Sequence, residues 1–436
     1  MILQTRPRES YRSIVAHVHL DCDDTVLEKR YKERGNENVK ELASFRATME
    51  NKTEAAVPEL KADADICIRT DYSGEDDVVT RVACHLGLHG RSPIQNVDVI
   101  IGGQYGSEGK GQIAAYLAKE YDLLVRVGGP NAGHKVYEEK KPYTFHQLPS
   151  GTRCCNARLL IGPGAAIRLD VLMREIAECS VDCERLSIDP QAIIITEEDA
   201  KWEVKNLHTI SSTAQGTGAA AMRRIRREHG ALFAGDVKPL RPFIRAAIEV
   251  LDAARIGGDR VMLEGTQGTG LSLFHGHYPF VTSRDTTASG CLSEAGIPPA
   301  SVRRVVMVCR TFPIRVQGTS GPMSREIDLK EIHQRSGVKL SELETTERTS
   351  TTNRKRRIAE FDWMQLRKSA SLNGPTDIAL TFADYLDVKN RKARRIDQLQ
   401  PETLLFVQEV ERVASASVSL ISVGFNHRTV LDRRHW

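Results

Sequence analysis

The stretch from Asn96 to Gln112, NVDVIIGGQYGSEGKGQ, constrains this chain more than any other. Val97, Val99, Ile100 and Ile101 form a short, mostly β-branched apolar run that reads as a buried strand. Gly102, Gly103, Gly106, Gly109 and Gly111 follow, and then an amphipathic stretch, IAAYLAKEYDLL. A strand passing through a glycine-rich turn into a helix aims backbone N–H groups and the positive end of the helix dipole at one point, which suits a phosphate. Lys110 adds a mobile cation there. The stretch is not a strict GxxxxGK[ST] phosphate loop. Gln104 takes the place of its first glycine, and Gly111 replaces the Ser or Thr that would hold Mg²⁺.

From this strand to the C-terminus, strand-like runs (LLVRV, RLLIGPG, DRVMLEG, RRVVMVCR, DIALTFAD, SVSLISVG) alternate with helical stretches. The alternation predicts an α/β fold over residues 91–436: a mostly parallel central sheet with flanking helices. Ligand loops in such sheets lie at the carboxyl ends of the strands. A chain of 436 residues is more than one ordinary core. Residues 1–90 read as a separate small α/β domain. Val15 to Leu20 alternate like a strand, and Asp21 to Thr25 can cap a charged helix ending near Gly35. Ile66 to Thr70 form a second strand, and Ser73-Gly74-Glu75 start a helix running to about Leu86. HGRSPIQ, residues 89–95, reads as the linker.

Composition removes several function classes. Hydrophobic content of 40% and charge of 27% are those of a soluble globular protein. A net charge of +4 gives no indication of general nucleic-acid binding. The nine cysteines include no CxxC pair and no His partner at zinc spacing. No apolar run reaches membrane length, and the polar start MILQTRPRESYR is not a signal peptide, so no membrane partner and a reduced, cytoplasmic setting are expected.

Further loops carry chemistry-bearing residues. RVGGPNAGH marks a tight loop ending in His134. SSTAQGTG, from Ser211, offers small hydroxyls and glycines that can surround a phosphate. EGTQGT follows the strand RVML, and HGHYPFVTSRDTT comes soon after. RRIRR, from Arg223 to Arg227, and STTNRKRR, from Ser350 to Arg357, are basic runs. The second is either a solvated loop or a clamp, since guanidinium forks suit carboxylates.

Read together, GGQYGSEGKGQ and these motifs resemble, in the same order, those of the adenylosuccinate synthetase family. The resemblance covers about residues 96–430. It implies a C–N ligase that uses Mg²⁺, a purine nucleoside triphosphate and L-aspartate, and that works as a homodimer. Lys110, with Gly106, Glu108, Gly109 and Gly111, would hold the donor phosphates. NAGH matches the family motif, so His134 would stabilise the transferring phosphoryl group as acid catalyst, the Gly133 carbonyl would face Mg²⁺, and Asn131 would lie at the monophosphate substrate. SSTAQGTG resembles TTGRGIG, so Ser212 or Thr213 would contact the substrate 5′-phosphate. EGTQGT matches EGAQGT, whose Gln, here Gln267, reads the purine and holds the reacting oxygen. HGHYPFVTSRDTT resembles HGTYPYVTSSNTT and assigns Thr282 to the 5′-phosphate. Arg224 or Arg227 would reach a neighbouring subunit's substrate. Arg315 sits in FPIRVQGTSGP, which resembles STRVGAGPFP. STTNRKRR resembles ATTGRRRR, a mobile loop in which Thr352, Arg354 and Arg356 would hold aspartate.

Two departures bear on substrates. Ser107 stands where the family has the Asp that serves as catalytic base and metal neighbour. A Ser there looks like the phage and phage-related branch that acts on guanylate and makes the precursor of 2-aminoadenine. A smaller Ser leaves room for the guanine 2-amino group, so (d)GMP is the expected acceptor, with IMP as the alternative and Glu108 or water taking the N1 proton. The family's TKLD reads Thr381-Phe382-Ala383-Asp384 here. Asp384, Ser422 and Gly424 keep the guanine-reading pattern, but Phe382 replaces its Lys and stacks on any purine, so ATP or dATP is as suitable a donor as GTP. The N-terminal β–α…β–α pattern resembles the C-terminal half of a nucleoside monophosphate kinase. It has no GxxxxGK cradle, which makes it a degenerate accessory domain. The alternative to an enzyme is a non-catalytic nucleotide-binding regulatory protein.

Overall fold

A computed structural model describes residues 16–33, 44–88, 95–137, 142–349, 354–426 and 429–434. The chain divides into two compact units, Met1–Ser92 and Pro93–Trp436. The expected linker lies mostly outside the described residues.

In the first unit, Val18–Asp21 pairs in parallel with Ile66–Arg69. Helices Asp24–Glu33 and Glu75–His85 follow these strands. The second helix starts at Gly74, whose N–H donates to the Asp77 carboxylate at 3.1 Å, and Glu75, Asp76 and Asp77 complement its dipole. Its strands bury His19, Ile66 and Ile68, and no residue of either helix is fully buried.

The second unit is built on a nine-stranded sheet. From one edge the order is Val430–Asp432, Ser417–Ser422, Asp377–Thr381, Val302–Arg310, Val97–Gly102, Val261–Glu264, Leu123–Arg126, Arg158–Ile161 and Leu186–Ile188. All neighbours are parallel except the edge pair Ser417–Ser422 with Val430–Asp432. The apolar run before the glycine-rich loop is the central strand. It is continuous because both faces are covered. Val97, Val99 and Ile101 enter one hydrophobic cluster and Ile100 enters the other. Asp98 is also buried and is satisfied by Arg303 Nε at 2.9 Å and the Tyr121 hydroxyl at 2.7 Å.

The helix after the loop corrects the amphipathic reading. It spans only Lys110–Leu117, and all of it except Tyr116 is buried. The final DLL of IAAYLAKEYDLL belongs to the turn and start of the strand Leu123–Arg126. The basic run is corrected too. Arg356–Ala359 is a strand, paired antiparallel with Ile314–Val316 and with Glu326–Ile327. This small sheet places Arg315 opposite Arg357.

Candidate active site

The loops leaving the carboxyl ends of the central strands surround one cavity of about 310 Å³. The glycine-rich loop forms its floor. Gly106, Ser107 and Gly109 all have positive φ (89°, 56° and 90°), so the loop curls tightly before Lys110 opens the helix. Glu108 stabilises this curl from inside. Its buried carboxylate accepts the N–H groups of Gln104 (3.1 Å) and Gly106 (2.7 Å) and pairs with Lys110 at 2.5 Å. Lys110 is therefore a buried, anchored cation, not a mobile one. Glu108 is turned into the loop and does not line the cavity, which takes its side chain out of position both as a base and as a donor ligand. Ser107, in contrast, is exposed at the cavity, and its Oγ accepts a hydrogen bond from Arg356 Nη2 at 3.2 Å.

His134 lies against the start of this helix. A Cβ on Gly111 would meet the His134 Cβ at 2.8 Å and Ser150 Oγ at 3.1 Å, so only glycine permits the approach. The parallel register sets Glu264 opposite Arg126, and these two carry the imidazole. His134 Nδ1 contacts Glu264 Oε1 closely, and Arg126 Nη1 lies 3.3 Å from the same nitrogen. Ser150 satisfies the other Glu264 oxygen through its N–H at 2.7 Å. Burial, and then Arg126, lower the His134 pKa to about 4. Burial alone would raise the Glu264 carboxyl, but its basic neighbours and Ser150 hold it below the ordinary carboxylate range. The resting imidazole is thus neutral, with Nδ1–H toward Glu264 and Nε2 as its open nitrogen. Glu264 had no assigned role in the sequence; a carboxylate ending an apolar strand was the available signal.

Several buried polar atoms around the cavity have no hydrogen-bond partner among the described residues. They are Asn131 Oδ1, Thr217 Oγ1, Gln267 Nε2, Arg315 Nε and Nη2, and Arg356 Nε. Unpaired buried groups cost free energy, so these are the polar atoms that a ligand or water entering the cavity would satisfy. Arg315 lies 4.0 Å over the Tyr105 ring, and burial lowers its pKa to about 10. Ser212, Thr213 and Thr282 line the same cavity, as does Gly133. At the start of the helix Thr217–Arg226, most N–H groups are already taken. Glu203 accepts from Gly216 (2.8 Å), Gly218 (2.6 Å) and Ala219 (3.3 Å), so the hydroxyls of Ser212, Thr213 and Thr282 are prominent donors at the cavity.

An aromatic wall closes one side. Phe382 has φ of 58° and packs against Phe425 at 5.6 Å between ring centroids. Asp384 does not join the cavity lining. It is buried, with Oδ2 accepting from Arg391 at 2.8 and 3.0 Å, and burial raises its pKa to about 6 against the pull of Arg391. Ser422 and Gly424 also stay outside the lining; Ser422 Oγ donates to the Gly424 carbonyl at 2.9 Å. Arg227 is exposed at the end of its helix, and Arg224 donates to the Pro163 and Gln191 carbonyls, both at 2.9 Å. Arg354 is exposed and outside the lining, whereas Arg356 is inside it; Thr352 lies outside the described residues. The sequence pattern thus converges on one cavity for thirteen positions, among them Ser107, Lys110, Asn131, His134, Gln267, Thr282 and Arg356.

The family model for adenylosuccinate synthetase matches residues 99–237 and 231–391. The adenylosuccinate synthetase of Pyrococcus horikoshii is 36% identical over 77% of this chain and 98% of its own length. That of Methanocaldococcus jannaschii is 36% identical over 77% and 96%. The chain belongs to the adenylosuccinate synthetase family. It is accordingly a C–N ligase of the adenylosuccinate synthetase type, acting on nucleotides. Among solved structures, the succinoaminodeoxyadenylate synthetase PurZ of cyanophage S-2L, bound to dGMP and to dATP as energy donor, is similar. It is 28% identical with a TM-score of 0.65, covering 78% of this chain and 96% of that one. The fully ligated adenylosuccinate synthetase of Plasmodium falciparum shares the fold, with a TM-score of 0.68 at 23% identity over 78% and 100%. Residues 1–90 precede the part matched by the family model. No helix among the described residues is long and apolar enough to cross a membrane.

Proposed function

We propose that this synthetase condenses L-aspartate with (d)GMP to give the N6-succinyl-2-amino-(d)AMP nucleotide, using ATP or dATP, or GTP, as donor. The observation that carries the reading is Ser107. In the family pattern this position holds the Asp base. Here an exposed hydroxyl faces the cavity beside Lys110. A carboxylate next to the guanine 2-amino group would crowd it; a Ser accepts its hydrogen bond. The phage PurZ enzyme, solved bound to dGMP and to dATP as energy donor, adds support through its likeness in sequence and fold. The archaeal relatives, all adenylosuccinate synthetases at 34–37% identity, favour IMP as the second reading.

In this reading the purine 6-oxygen attacks the γ-phosphorus, an O–P bond forms, and the bond to the leaving diphosphate breaks. The amine of aspartate then attacks C6 and displaces phosphate. Lys110 and the loop N–H groups take up the negative charge that accumulates on the transferring group. His134 hydrogen-bonds the transferring phosphoryl group. An arriving polyanion restores the proton that burial removes, and Glu264 stabilises the resulting imidazolium. Gln267 Nε2 holds the 6-oxygen. Asn131, Ser212, Thr213 and Thr282 receive the substrate's 5′-monophosphate, and Arg356 with Arg354 and Thr352 receives the aspartate carboxylates. Phe382 and Phe425 stack on the donor base. With Glu108 turned inward, water accepts the N1 proton.

Mg²⁺ fits this donor set in a particular way. No cluster of three or more His, Cys, Asp or Glu side chains among the described residues forms a metal cage. Ser107 Oγ and the Gly133 carbonyl are neutral oxygens at the cavity, so they would complete a shell supplied chiefly by nucleotide phosphates, the usual mode for this ion. When bound, it neutralises phosphate charge. A homodimer in cytoplasm, and an accessory, kinase-derived role for residues 1–90, belong to the same proposal.

The test is phosphate release with aspartate and Mg²⁺, crossing IMP, GMP and dGMP against GTP, ATP and dATP, with mass spectrometry of the product. Turnover of GMP or dGMP supports the assignment. Turnover of IMP alone overturns it in favour of ordinary adenylosuccinate synthesis, and no turnover in any combination leaves a nucleotide-binding protein.

A further inference from the structure

Gln267 is held from behind by two residues, Thr266 and Arg284, at which this chain differs from the motifs EGAQGT and HGTYPYVTSSNTT that it otherwise resembles. In EGTQGT, Thr266 stands where EGAQGT has Ala. In VTSRDTT, Arg284 stands where VTSSNTT has Ser. The two substituted positions, 18 residues apart in sequence, are bonded to each other: Arg284 Nη1 donates to Thr266 Oγ1 at 2.7 Å. Thr266 Oγ1 in turn donates to Gln267 Oε1 at 2.8 Å. Arg284 is itself fixed by Glu294, through Nε–Oε1 and Nη2–Oε2 contacts of 2.7 Å each, and its Nη2 lies 3.5 Å from Cys291 Sγ. All three members of the chain are buried. Gly128 makes space for them, since a Cβ there would lie 2.0 Å from Thr266 Oγ1 and 3.0 Å from Arg284 Nη1.

The direction of this chain has a chemical consequence. A Thr hydroxyl has one proton to give. With Arg284 donating to its oxygen, that buried proton must find an acceptor, and Gln267 Oε1 is the one in reach. Turning the amide over would set N–H against O–H and leave the hydroxyl proton unsatisfied, at the cost of an unpaired buried donor. The amide is therefore fixed with Nε2 toward the cavity, where it has no partner among the described residues.

We propose that Arg284 and Thr266 are a positioning pair that locks the Gln267 amide as a hydrogen-bond donor. The pair restricts the purine monophosphate site to bases carrying an acceptor at C6. It thereby rejects 6-amino purine nucleotides, the class to which the downstream product of this chemistry belongs. The inference rests on the purine reading of the cavity given above.

Binding of GMP and of 2-aminoadenosine 5′-monophosphate, which differ in the C6 substituent and in the N1 proton that accompanies it, tests it by calorimetry on the full chain. The N1 difference is common to wild type and variants, so a change in their ratio reports on the amide. Wild type and T266S, which keeps the hydroxyl, should prefer GMP to the same degree. T266V and T266A should lose about tenfold of that preference, because the amide becomes free to turn over. R284S should lose preference in the same direction. An unchanged ratio in both T266V and T266A overturns the proposal, as does an equal fall in both affinities, which is the signature of a merely structural role. If wild type binds neither nucleotide, the purine reading itself fails, a result distinct from an unchanged ratio in the variants.

Discussion

Arg356 Nη2 donates to Ser107 Oγ across 3.2 Å, joining the basic strand to the glycine-rich loop. Arg356 is also paired with Glu347 at 3.2 Å, and Glu347 is shared with Arg310 (2.6 Å) and the Tyr385 hydroxyl (2.9 Å). The candidate aspartate clamp and the acceptor-facing Ser are thus mechanically one unit. Ser107 has φ of 56°, a conformation Asp tolerates better than most residues. In S107D the carboxylate should pair with Arg356 without refolding the loop. The expected outcome is a shift of kcat/KM from (d)GMP toward IMP by tenfold or more, read from phosphate release with each acceptor.

Glu264 holds His134 in one tautomer and stabilises its protonated form. E264Q keeps the shape and removes the charge. A fall in kcat of about a hundredfold, with KM for the acceptor little changed, is expected in steady-state kinetics, in line with general acid–base contributions.

The low His134 pKa also sets a pH dependence of stability. An unfolded chain binds the imidazole proton near pH 6.5, whereas the folded chain binds it only near pH 4. Between those values the unfolded state holds more protons, so stability falls as pH drops from 6.5 to 4. In H134N this contribution is absent. Thermal melts across that range should show a shallower decline for H134N than for wild type, while the two converge in slope above pH 7.

Gly111 is the close-approach point between loop helix and imidazole. In G111A the added methyl would sit 2.8 Å from the His134 Cβ, neither side being a flexible chain end. Overpacking of this kind costs about 1–3 kcal/mol. A lowered melting temperature together with loss of most turnover is the expected result; full activity would show that the contact relaxes freely.

Phe382 tests the donor site. Its ring packs on Arg310 (4.0 Å), Tyr385 (5.2 Å) and Phe425 (5.6 Å) and lines the cavity. F382A should raise KM for ATP and GTP alike by about tenfold, since stacking is blind to base identity. F382K, which restores the family residue, should favour GTP.

How much was legible in the chain depends on whether a signal was local. The central strand and its glycine-rich turn could be read because β-branched runs and clustered glycines act within a few residues. His134, Gln267 and Thr282 were found through motif resemblance and do line one cavity. In the sequence Lys110 reads as mobile, because nothing local shows that Glu108, two residues earlier, turns inward to meet it. The helix after it reads as amphipathic because Lys119, Glu120 and Tyr121, just beyond its end, mimic a polar face, whereas tertiary packing buries all of it but Tyr116. The motif resemblance makes Asp384 a base reader, and only the fold shows its carboxylate committed to Arg391. Glu264 and the Thr266–Arg284 pair depend on strand register and on contacts between distant segments, which no window of sequence contains.

The position of Val97–Gly102 at the middle of the sheet has a consequence for how the molecule is made. The two strands that flank it are Val261–Glu264 and Val302–Arg310. During synthesis, this first strand of the second unit leaves the ribosome long before either neighbour exists. Its apolar residues stay unpaired until more than half of the chain has emerged. The phosphate-facing loop is therefore the earliest part of the site to be written and among the last to be assembled. A nascent chain that stops short of residue 310 carries the signature yet lacks one of the strands that flank it, and it leaves that apolar segment without its full cover.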